Sequence, residues 1–179
     1  MKWKMDSMLI GAILTTALGP WLLACSDSNP CSISVSGART GSYRCEVPSL
    51  AHYQVNADTF VMGVGWEGAP STGLVLRFPG KPATGAYTHA SPGAQAEIWY
   101  NETASDPDVF RSSVWRAARG IETEQGTFTL KLSSVALQTS TDASAGVTAV
   151  YAIHGTVDSS LSPKAGTNAS GVLNVHVNF

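Results

Sequence analysis

Thr127-Phe128-Thr129-Leu130-Lys131-Leu132-Ser133-Ser134-Val135 alternates polar and apolar residues one for one as far as Leu132, then slips by one position before Val135. A strand sends successive side chains to opposite faces. Phe128, Leu130 and Leu132 therefore share one face, and Thr127, Thr129 and Lys131 share the other. A helix would scatter both sets around its axis, so the pattern reads as a strand buried on one side. The slip at Ser133-Ser134 predicts a β-bulge, which bends a strand or carries it into a second sheet.

The same period recurs on both sides of this stretch. Phe60, Met62, Val64 and Trp66 form one apolar row; Leu74, Leu76 and Phe78 form another; Ala96, Ile98 and Tyr100 a third. Towards the carboxy terminus, Tyr151, Ile153 and Val157 alternate with His154, Thr156 and Asp158. Leu173, Val175, Val177 and Phe179 alternate with Asn174, His176 and Asn178. Phe179 continues an apolar row, so the last strand is expected to pack in a sheet. Pro79-Gly80-Lys81-Pro82, Ser91-Pro92-Gly93 and Ser162-Pro163-Lys164-Ala165-Gly166 punctuate the pattern as turns. Many short strands separated this way predict an all-β fold, an antiparallel β-sandwich with a β-barrel as the alternative. Residues 105–120 read two ways. Ser105, Asp108, Pro107 and Gly120 suit the ends of a short helix around 106–119; Val114, Trp115 and Arg116 suit a loop feeding a strand.

The amino-terminal stretch is of another kind. Lys2 and Lys4 precede a run rich in Leu, Ile and Ala over residues 8–25, ending Leu22-Leu23-Ala24-Cys25. A basic start, a short apolar core and a small residue before a cleavage point mark an export signal. An uncleaved membrane-spanning helix is the competing reading, at the short end of the length needed and weakened by Gly19-Pro20. An ordinary signal cut before Pro20 is another. Leu22-Leu23-Ala24-Cys25 resembles the lipobox of bacterial lipoproteins. That resemblance implies that residues 1–24 are a signal peptide, that the Cys25 thiol carries diacylglycerol, and that its freed amine is acylated, commonly with palmitate. Residues 25–30 would then be the lipidated Cys and a short tether, and 31–179 a single β-domain. Ser26, in place of Asp, implies the outer membrane, with the domain on the periplasmic side or beyond. The runs around 126–135, 150–158 and 171–177 also resemble the carboxy-terminal half of small lipoproteins of unknown function, a likeness that carries no activity.

Residues 1–24 hold two of the 11 basic and one of the 13 acidic side chains. Nine basic and twelve acidic groups remain, a formal charge near −3. With no basic field, nucleic acid is not an expected partner; the expected one is a membrane, reached through Cys25. The chain has three cysteines. If Cys25 is acylated, Cys31 and Cys45 are left to form a disulfide in an oxidising compartment.

No nucleophile elbow, zinc-protease helix motif, phosphate loop or dinucleotide fingerprint is present in the sequence, and no cofactor is expected. Two sets of residues invite weaker readings. His154, Asp158 and His176 would gather on two neighbouring strands if position 156 lay opposite 176, two imidazoles and a carboxylate suited to a divalent metal; a solvated polar face is the plainer account. Trp99, with Glu97 and Tyr100, offers an aromatic and polar patch of the kind that binds glycans. The acidic stretch Asn101, Glu102, Asp106 and Asp108 lacks the ligand order of a calcium loop. The expectation is an envelope-anchored lipoprotein with a structural or interaction role and no catalysis. Glycan or small-ligand binding is the alternative, and a metal-dependent enzyme the third reading.

Overall fold

The computed structural model describes residues 31–45, 50–67, 72–100, 113–118, 126–143 and 146–179. The expected signal peptide, Cys25 and the tether lie outside the described residues, as does the acidic stretch. The strands in chain order are β1 (Ser32–Gly37), β2 (Gly41–Arg44), β3 (Leu50–Gln54), β4 (Thr59–Gly65), β5 (Gly73–Pro79), β6 (Gly85–Thr88), β7 (Gln95–Tyr100), β8 (Ser113–Ala118), β9 (Thr127–Ala143), β10 (Gly146–Pro163) and β11 (Leu173–Asn178). All pair antiparallel within one hydrogen-bonded sheet. One 3-10 turn, Val55–Ala57, joins β3 to β4.

β10 is the axis of the molecule. Its 18 residues span roughly 60 Å at strand rise, long enough to serve four partners. Along one edge it pairs with β3 over 148–152 and then with β11 over 156–161. Along the other it pairs with β9 over 146–160, and then with β8 at Ser162 and Pro163. The run β3-β4-β5-β7-β8 thus leaves β10 near one end and touches it again near the other, a partial ring of strands. A second layer, β6-β9-β10-β11-β1-β2, uses the carboxy-terminal half of β10. The two runs face each other: Phe78 on β5 meets Phe128 on β9 at 5.4 Å between ring centroids, and Phe60 on β4 meets Tyr87 on β6 at 5.3 Å. None of these strand pairs is hydrogen-bonded, so the contacts cross the interior. The apolar rows of the sequence fill that space. Phe60, Met62, Leu74, Leu76, Phe78, Ile98, Leu130, Val157 and Val177 have no exposed surface, and each large apolar side chain so buried stabilises the fold by about 1.5–3 kcal/mol.

The phase slip at Ser133-Ser134 is a bulge. His154 pairs with Ser134 and Gly155 with Leu132, leaving Ser133 as the extra residue. A second register shift, opposite Val150 and Tyr151, leaves Gln138 as another. The first bulge depends on Gly155, where an added Cβ would lie 2.0 Å from the Lys131 carbonyl oxygen. Residues 113–118 are the strand β8, not part of a helix; residues 106–112 lie outside the described set. Trp115 explains the choice. As one of the alternating inward residues it is buried, and its Nε1 donates to the Gly171 carbonyl at 2.9 Å.

Cys31 and Cys45 form a disulfide across the base of the β1–β2 hairpin, with Cα atoms 5.3 Å apart. Cys45 also bridges to Trp66 just beyond β4, and the Glu67 amide donates to the Arg44 carbonyl at 2.9 Å. The far edge of one layer is thereby tied to the middle of the other. Phe179 is buried and exchanges two backbone hydrogen bonds with Gly155, at 2.8 and 3.0 Å, extending the β10–β11 ladder by one residue.

Candidate functional site

The outer face of the β6-β9-β10-β11-β1-β2 layer is built from the polar half of each alternating pattern. Directly opposed residues on antiparallel neighbours share a face, so the registers order these side chains into rows. One row runs Thr127, Ser160, Asn174, Ser36. The next runs Thr88, Thr129, Asp158, His176, Ser34, Ser42. A third runs Ala86, Lys131, Thr156, Asn178, Ser32, Arg44. The first row and the Thr129, Asp158, His176 and Ser34 stretch of the second line a shallow hollow of about 440 Å³. Most of its groups are short hydroxyls and amides that can both donate and accept hydrogen bonds.

At its centre His176 Nδ1 and Asp158 Oδ1 are 2.7 Å apart, with both side chains more than half exposed. The pair forms because the β10–β11 register sets 158, not 156, opposite 176. In the connection after β10 the Thr167 hydroxyl donates to the Lys164 carbonyl at 2.8 Å and the Lys164 amide to the Val114 carbonyl at 2.9 Å. The expected set of His154, Asp158 and His176 therefore does not assemble. His154 lies four residues from Asp158 along β10, about 13 Å at strand rise, and is opposite Ser134 on β9. Among the described residues no group of three or more His, Cys, Asp and Glu side chains is placed to hold a metal ion.

The second expected set is divided by the sheet. Trp99 and Glu97 lie on the outer face of β7, and Tyr100 points inward against Trp66 and Trp115, at 6.2 and 5.8 Å. The Trp99 indole lies across Gly73 on β5, where an added Cβ would come within 3.2 Å of the ring. Glu97 is engaged by its cross-strand partner: Arg116 Nε donates to Glu97 Oε2 at 2.7 Å, Arg116 Nη2 reaches the same oxygen, and Lys164 Nζ lies 3.6 Å away. These three residues latch β7, β8 and the segment after β10 together. Inside, the Tyr100 hydroxyl and Trp66 Nε1 are buried without a hydrogen-bond partner among the described residues. Burial, reinforced by Tyr43 and partly opposed by Arg39, pushes the Tyr100 phenol up to about 12.

No protein-family model, curated protein or solved structure matches the chain.

The residues of the hollow that the sequence did not single out are Ser34, Ser36 and Ser160, with Thr127 and Thr129 beside them. Ser32, Ser34 and Ser36 do alternate with Ile33 and Val35, so the face of each was legible. What was missing was that β1 lies beside β11.

Proposed function

We propose that the protein is a lipid-anchored β-domain of a bacterial cell envelope, held at the outer membrane through Cys25, with a structural or interaction role and no catalysis. The observation that carries this reading is Leu22-Leu23-Ala24-Cys25 at the end of an apolar run. The sulfur pairing agrees with it: Cys31 and Cys45 are bonded to each other, which leaves Cys25 as the odd cysteine of three. Only residues 26–30 separate Cys25 from Cys31, a reach of at most about 20 Å. An anchored domain would therefore ride close to the lipid surface. The deciding measurement is the intact mass of the membrane-extracted protein. Expected are loss of residues 1–24, added diacylglycerol and acyl mass at Cys25, and two hydrogens fewer for the disulfide. A Cys25→Ala variant is expected to lose the lipid mass and the partition into detergent. A chain that keeps its first 24 residues, or wild type found in the aqueous phase, sinks the proposal.

Binding of a glycan or another small polar ligand is the second reading, and the hollow around Asp158 and His176 favours it over the Trp99 patch. Titration with neutral oligosaccharides, with Asn174→Ala and Asp158→Ala as the sensitive variants, tests it.

A further inference from the structure

β6 covers the outer edge of β9 only from Thr129 to Leu132. Beyond that, over residues 133–143, β9 pairs with β10 on its inner side and with no strand on its outer side among the described residues. Eleven residues of open edge run about 36 Å. Such an edge offers a row of unpaired backbone donors and acceptors, and is a template for another strand unless proline, lysine, inward charge or bulges guard it. This run holds no proline and no lysine, and one charged position, residue 142. Its guards are the two bulges at Ser133 and Gln138, which coil the strand without closing its edge. Leu137 lies in the middle of the run and is 58% exposed, more than any other large apolar side chain among the described residues.

From this edge we propose that β9 pairs with β9 of a second copy of the chain, antiparallel about a two-fold axis near Leu137 and Gln138. The run is self-complementary about that point. Its middle position is 138, so the whole open edge is used, with about ten inter-chain hydrogen bonds. The two Leu137 side chains become cross-strand neighbours, directly opposite or diagonal, and shield each other from water. Position 142 falls opposite the 132–134 end of the partner strand instead of opposite its own copy, so no like charges are set against each other. The sheet then continues from one copy into the next, and the interface is isologous, as a two-fold dimer requires. The pairing does not rest on the lipid anchor.

Full-length protein is purified in detergent and sedimented beside a Leu137→Lys variant, which places two ammonium groups at the axis and changes a side chain already largely in water. Wild type is expected at two copies and Leu137→Lys at one. A wild type of one copy overturns the proposal. So does a variant that stays at two, since the variant keeps any anchor and a dimer held by the anchor would survive. In membranes, Leu137→Cys and Gln138→Cys are each oxidised, with Ser36→Cys on the polar face as the comparison. Two strands paired at this axis bring the matching Cα atoms within disulfide range. A covalent dimer from at least one of the two edge variants, several-fold above Ser36→Cys, is expected; equal yields overturn the pairing.

Discussion

The β9–β10 hairpin is one continuous ladder with two unlike halves. From Thr127 to Leu132, β9 lies over the core. Phe128 is 1% exposed and packs on Phe78, and β6 covers the outer edge. From 133 onward the strand keeps its pairing to β10 but has no strand on its outer side among the described residues; Val135 still packs against the core, and by Leu137 the side chain is 58% exposed. Leu137 lies opposite Tyr151, and Leu130 lies opposite Val157, so both leucines belong to the face that looks inward. Equal residues on equal faces of one strand thus have unequal weight. An apolar side chain stabilises only where another layer excludes the water above it.

Four substitutions would break or sharpen that contrast. The largest effect is expected at Phe128. Phe128→Ala removes a ring that Phe78 and His89 contact, and should lower unfolding free energy by about 3–5 kcal/mol in urea titrations. A loss below 1 kcal/mol would erase the difference between the two halves. Next is Gly155, at the boundary between them. Gly155→Ala drives a methyl into the Lys131 carbonyl, and a loss of about 1–3 kcal/mol is expected, with faster amide exchange in β9 on both sides of Ser133. Unchanged exchange would mean that the bulge does not depend on the absent side chain.

Tyr100 tests the interior from the opposite direction. Its hydroxyl is buried without a partner among the described residues, so Tyr100→Phe should stabilise the fold by about 1 kcal/mol at neutral pH. The phenol is held up to about 12 in the folded chain against an ordinary value of 10.0. The folded state therefore binds more protons than the unfolded state between those values. Wild-type stability is full below pH 10 and falls as pH rises towards 12, and Tyr100→Phe should lessen that fall. An identical alkaline decline in the two proteins would remove Tyr100 from the account. The smallest effect is expected at Leu137: Leu137→Ala in the monomeric state should change stability by less than about 0.5 kcal/mol. A loss comparable to Phe128→Ala would show that the far half has a cover of its own.

Much of this fold could be read before the structure, because alternation is a local property. The faces of β4, β5, β7, β9 and β11 follow from period two, and the break at Ser133-Ser134 marks a bulge because one extra residue inverts every later side chain. The ambiguous stretch before Gly120 resolved at 113–118 in favour of extended structure, where Trp115 gains both burial and a hydrogen bond from a segment more than fifty residues away. The candidate sites were less legible. Glu97 and Trp99 do share a face, but Arg116 and Lys164 already claim Glu97. Asp158 and His176 do meet, but His154 does not join them.

By itself the sequence determined which side of each strand is apolar and where one strand must bulge. These are fixed by neighbouring residues, through the geometry of a pleated chain, whereas the bond between Cys31 and Cys45 was shown by the structure. Only the tertiary structure decided that β10 serves four partners, that β1 lies beside β11, that 158 faces 176, and that β9 runs on past β6. Those depend on register and strand order, which are set by packing between distant segments and by how a nine-residue connection folds.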